Sequence, residues 1–154
     1  MKIKASQDAL LSNYEVYQHI VDQRERNKKR TRRSPKDVFD VTKEVISYLT
    51  TKPSPLHNQE ETQAYSPNSM MTLMQKLKDA KLSSELTKGE MLTIVNLRPT
   101  GEVLLSNIVE DLESRFTEQE RATILEIIIE VLGQDEPEEV GEEEEGEEAA
   151  EGTN

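Results

Sequence analysis

Residues 86–132, LTKGEMLTIVNLRPTGEVLLSNIVEDLESRFTEQERATILEIIIEVL, decide the fold, because they spell three short helices with their start and stop signals. Thr87 is an N-cap with Glu90 three residues on, the reciprocal pairing of a capping box, and Leu86 and Met91 flank it as a hydrophobic staple. Asn96, Leu97, Arg98 and Pro99 end that helix, since a proline pushes its predecessor out of helical geometry. Thr100 can cap the second helix, whose apolar positions read Val103, Leu104, Ile108, Val109 and Leu112. A second box, Thr117 with Glu120, opens a helix carrying Ile124, Leu125, Ile127, Ile128, Val131 and Leu132. Gly133 follows where a helix-ending glycine is expected. No Ser/His/Asp arrangement, metal spacing or phosphate loop lies here, so the stretch packs against other helices and presents a surface.

The segments upstream repeat the same grammar. Ser66 and Pro67 start a helix with the apolar stripe Met70, Met71, Leu73, Met74 and Leu77. Three methionines invite a peptide-groove reading, because thioethers adapt to varied partners; at this spacing the stripe is read as core. Ser34, with Pro35 at the first helical position, starts another helix. Val38, Phe39, Thr42, Val45, Ile46 and Leu49 share one of its faces, which makes it a core helix. Between these two helices, residues 51–65 bring prolines, His57 and polar residues, a connecting loop and the place for length variation. Further back, Ser12 and Glu15 form another capping box, with Leu11 and Val16 as staple, and Tyr14, Tyr17, Ile20 and Val21 make a packing stripe. Met1 to Leu11 alternates Ile3 and Ala5 with Lys2 and Lys4, a short strand that would need an existing sheet edge.

Composition narrows the function. Cysteine is absent, which excludes disulfides and thiolate chemistry and fits a reducing compartment. No apolar run is long enough to span a bilayer and no signal-peptide core is present, so a soluble intracellular protein is expected. Two separated histidines, His19 and His57, make no metal site. The net charge of −12 is a property of one end: residues 134–154 hold eleven acidic side chains and no Lys or Arg, which leaves residues 1–133 at −1. Such a tail is expected to be disordered. The run RERNKKRTRRSPK at 24–36 sets eight basic residues against Glu25. Three readings compete for it: a solvated helix end, a nuclear-import patch, or a phosphate-contacting patch centred on Lys28, Lys29, Arg30, Arg32 and Arg33. No aromatic residue interleaves the run, which argues against stacking on single strands. The expected organisation is all-α: an N-terminal arm (1–33), a helical bundle (34–133) and an acidic tail (134–154).

ALLSNYEV at 9–16, LTKGEM at 86–91, NLRPT at 96–100 and VEDLESRFTEQE at 109–120, in this order and spacing, resemble the smaller stalk subunit of RNA polymerase III. In animals that family is also called the calcitonin-gene-related-peptide receptor component protein, and it belongs with the polymerase II fourth subunit and their archaeal counterpart. The resemblance implies a body like the helicase-and-RNase-D C-terminal (HRDC-like) domain. It implies pairing with a larger stalk subunit that carries an oligonucleotide/oligosaccharide-binding (OB) barrel. It also implies a non-catalytic, cofactor-free role in the nucleus, where the stalk helps recruit initiation factors and open promoters of small non-coding RNA genes, meeting nucleic acid through the complex. Carried over by position, Leu10, Leu11, Tyr14 and Tyr17 become partner contacts. The competing class is a stand-alone nucleic-acid-binding helical module using the 24–36 run, against which the near-neutral body and acidic tail count. A membrane-associated receptor accessory role finds no spanning segment to support it.

Overall fold

The computed structural model describes residues 9–29 and 35–133, and in these residues every regular element is a helix. In chain order they are α1 (Asn13–Lys28), α2 (Lys36–Leu49), α3 (Gln59–Thr62), α4 (Pro67–Asp79), α5 (Lys88–Leu97), α6 (Glu102–Ile108), α7 (Leu112–Arg115) and α8 (Glu118–Leu132). The all-α expectation holds. The strand expected over Met1–Leu11 falls mostly outside the described residues, as does the tail from residue 134.

The predicted caps form. Ser12 with Glu15, Thr87 with Glu90 and Thr117 with Glu120 make reciprocal boxes on α1, α5 and α8. Ser66 makes a fourth with Ser69, ahead of Pro67 in the first turn of α4. Helix α5 stops because Arg98 takes the left-handed conformation (φ 44°) before the buried Pro99.

Residues 86–132 hold four helices rather than three. Asp111, left-handed at φ 51°, breaks the second into α6 and α7, and Gly101, not Thr100, stands at the N-cap of α6. The inward register also differs from the expected one: Leu105, Val109 and Leu112 are buried, whereas Val103 is 80% exposed and Leu104 also faces outward. With so short a helix, the direction of its start and the break at Asp111 outweigh apolar periodicity.

The core runs through the middle of the bundle. Ile124, Ile128 and Leu132, spaced four apart on α8, are fully removed from solvent, and α8 packs on α4, which supplies Leu73 and Leu77. Leu105 of α6 and Ile94 of α5 fill the same core. Each such aliphatic side chain contributes roughly 1.5–3 kcal/mol when fully buried.

Three upstream expectations are corrected. Helix α2 begins at Lys36 with Pro35 at the N-cap position, and only Leu49 of its predicted core face is buried; Val38 and Phe39 are exposed. The physical reason is that α2 packs on α1, whose own apolar stripe ends near Val21. Phe39 meets the Arg24 guanidinium at 5.8 Å instead of core. Residues 51–65 are not a loose connection. They bury Leu56 and Tyr65 and contain α3, and the Gln59 amide holds Tyr65 by donating to its carbonyl (2.6 Å) and accepting from its N–H (3.0 Å). In α4, Leu73 and Leu77 are core as expected, but Met71 and Met74 are exposed.

Candidate docking surface

The start of α1 is fixed by three separate contacts. Ser12, almost fully buried, donates to Glu15 and accepts from its N–H in the capping box. The next backbone N–H, of Asn13, donates to Asn96 Oδ1 (2.8 Å), so the end of α5 caps the beginning of α1. At the next residue, Tyr14 stacks on Tyr65 with centroids 6.1 Å apart. Tyr65 in turn donates its hydroxyl to the Val95 carbonyl (3.1 Å), and burial, against the nearby Arg98 charge, pushes its pKa up to about 12. Burial also raises the Tyr14 and Tyr17 hydroxyls.

This anchoring divides the four residues expected to contact a partner. Tyr14 and Tyr17 lie in the chain's own core, while Leu10 and Leu11 are 67% and 56% exposed. The pattern follows from position: α1 starts after Ser12, so the two leucines precede the helix and escape its inward face. Of the basic run, Lys28 and Lys29 are exposed at the C-terminal end of α1, and Arg30, Arg32 and Arg33 lie outside the described residues. His19 is exposed, and His57 sits with Nδ1 2.9 Å from the Ser54 carbonyl. Among the described residues no group of three His, Cys, Asp or Glu side chains is placed to hold a metal ion, and no helix is long and apolar enough to cross a membrane.

The NLRPT segment owes its chemistry to packing. Asn96 caps α1, Arg98 Nη1 donates to the Leu132 carbonyl at the close of α8 (3.2 Å), and Pro99 is buried. These roles join positions 34 and 83 residues apart, which no local pattern announces.

The glutamates of two capping boxes likewise do a second job. Glu90 accepts both Arg115 guanidinium nitrogens (2.5 and 3.2 Å) and the Glu110 N–H (3.3 Å). Burial works against its charge, but the bonds from Arg115 and Thr87 outweigh that and hold its pKa at about 2. Glu120 takes the hydroxyl and N–H of Ser83 besides its own cap at Thr117. These bonds, those from Ser83 foremost, also hold its pKa at about 2. Both charges are thus engaged in holding helices together.

Comparison with known proteins identifies the family to which this bundle belongs. The family model described as RNA polymerase Rpb4 matches residues 10–132, from the exposed Leu10 to the last turn of α8. The chain is 28% identical over 161 residues to "DNA-directed RNA polymerase III subunit RPC9" of Saccharomyces cerevisiae, covering 83% of this chain and 98% of that protein. It is 30% identical over 120 residues to "DNA-directed RNA polymerase III subunit rpc9" of Dictyostelium discoideum, covering 77% of this chain and 82% of that protein. The family consists of non-catalytic RNA polymerase subunits. This chain belongs to the Rpb4 family of RNA polymerase subunits.

Proposed function

We propose that this chain is the smaller stalk subunit of a nuclear RNA polymerase III, pairing with a larger OB-barrel subunit and supporting initiation on genes for small non-coding RNAs such as tRNA and 5S rRNA. The observation that carries the reading is the near full-length similarity to two polymerase III subunits from distant eukaryotes, within a family match spanning the bundle. In this reading Leu10 and Leu11 touch the partner, and Tyr14 and Tyr17 serve the same contact from within by fixing the direction of α1. Two adjacent leucines more than half exposed, directly before a rigidly capped helix, suit such a contact because the scaffold beneath them is already ordered.

The test is affinity purification of the tagged full-length chain and of a Leu10→Asp/Leu11→Asp variant, with the co-purifying proteins identified by mass spectrometry. Polymerase III subunits and the barrel-containing partner are expected with the wild-type chain and strongly reduced with the variant. Equal recovery would move the interface elsewhere on the bundle, and absence of polymerase subunits from both would end the stalk reading.

A further inference from the structure

Four of the chain's five methionines, Met70, Met71, Met74 and Met91, line one open groove of about 1380 Å³ between α4, the segment after it and α5, bounded also by Leu10 and the start of α1. Met71 is 72% exposed and Met74 41%, so these thioethers are presented rather than packed. A groove of this size exceeds the roughly 300–1,000 Å³ typical of small-molecule pockets and suits a peptide. Unbranched, polarizable thioethers remould around apolar side chains of differing shape. The rim is cationic: Lys78, Lys81 and Lys88 line it and make no ion pair among the described residues. Against them stand Glu85 and Glu15, and Glu15 is already held in the Ser12 cap.

The chain's own ends do not match this chemistry. Residues 1–8 carry Lys2 and Lys4 against Asp8 alone, bringing like charge to the lysines. Residues 134–154 supply carboxylates in plenty, but Val140 is their single large aliphatic side chain, too little to fill an apolar groove. What fits is a segment that combines both properties. We infer that the methionine groove docks an acidic amphipathic helix of a partner protein, with apolar anchors one turn apart on the thioethers and carboxylates facing Lys78, Lys81 and Lys88. Leu10, a contact proposed above for the stalk partner, also lines this groove, but the inference rests on the groove's chemistry and not on the stalk reading, since the groove selects whichever protein supplies the helix.

Methyl-labelled methionine turns the groove into its own reporter. The full-length chain, labelled at the methionine methyl groups, is titrated with a designed helical peptide bearing leucines on one face and glutamates on the other. A control peptide has the same leucines with lysines in place of the glutamates. The signals of Met70, Met71, Met74 and Met91 are expected to shift, with the acidic peptide binding at least about tenfold more tightly. A Lys78→Glu/Lys88→Glu variant, altered only on the surface, is expected to lose at least about fivefold in affinity for the acidic peptide and to gain for the basic one. No shift at millimolar peptide, or equal affinity for both peptides, overturns the inference. So does a change of the free protein's groove signals on dilution, which assigns the groove to a second copy, or on deleting residues 1–8, which assigns it to the chain's own arm.

Discussion

Arg115→Ala removes a guanidinium that ties together segments far apart in the chain without deleting any core side chain. Its Nη1 and Nη2 grip both Glu90 oxygens, at 2.5 and 3.2 Å, and also donate to the Glu110 and Glu85 carbonyls at 2.9 and 2.8 Å. Its Nε lies 3.3 Å from the Ser84 hydroxyl. The Glu90 side chain is only 9% exposed, so truncating Arg115 strands a carboxylate away from water. Breaking a buried pair in this way costs about 3–5 kcal/mol, and the 23% exposure of Arg115 lets solvent repair part of the loss, for an expected cost of about 2–3 kcal/mol. In a bundle of this size each kcal/mol moves the midpoint by roughly 4–8 °C, so a fall in Tm of about 10–20 °C is expected by far-ultraviolet circular dichroism. Glu90→Gln keeps an acceptor for the Thr87 cap and removes the charge, so the two changes together define a double-mutant cycle. A coupling of about 1 kcal/mol or more is expected. A cost for Arg115→Ala below about 0.5 kcal/mol, or strictly additive changes, would refute the reasoning.

The same pair predicts a pH dependence. The Glu90 pKa falls from its ordinary 4.5 to about 2 in the folded chain, so its contribution is complete above 4.5 and declines as pH drops toward 2, where the unfolded chain is protonated first; urea unfolding across this window should show the decline, weakened in Arg115→Ala. Leu105→Ala should cost about 2–5 kcal/mol by urea unfolding, because the side chain is fully buried, while Val103→Ala, two residues earlier and 80% exposed, should stay within about 0.5 kcal/mol. Tyr65→Phe should lose about 1 kcal/mol in the same measurement, through the missing bond to the Val95 carbonyl. Gly133→Ala meets no atom within 4 Å yet should cost about 1–2 kcal/mol, because φ +78° with ψ 177° is a conformation that suits glycine.

Helix starts were legible in the sequence because they are local. Ser or Thr followed by Glu three residues later uses only groups within one turn, and the boxes on α1, α5 and α8 formed as read. What those glutamates do next was not legible, since Arg115 lies 25 residues from Glu90 and Ser83 lies 37 from Glu120. The same limit hid Asn96 and Arg98, whose partners sit on other helices. At the candidate docking surface, the leucine and tyrosine positions were readable as an apolar group. Which of them face outward depended on Tyr65, which lies in a segment whose prolines and polar residues read as a loop.

Helix α2 shows why amphipathic periodicity and burial are different statements. Its apolar residues do recur at helical spacing, yet a stripe is buried only where another element offers apolar surface along its whole length. Near Leu49 the bundle core does so, and Val45 and Ile46 pack against it. Toward Val38 the neighbouring helix offers Arg24, and a cation over the Phe39 face substitutes for a hydrophobic partner. The second stripe of α2, with Val41 60% and Tyr48 78% exposed, has still less of this chain to meet. Surface of this kind has no stabilising role in a bundle that already closes its core around α8. The departures from the core expected of this helix therefore follow from what its neighbours among the described residues offer it, not from any defect in its periodicity.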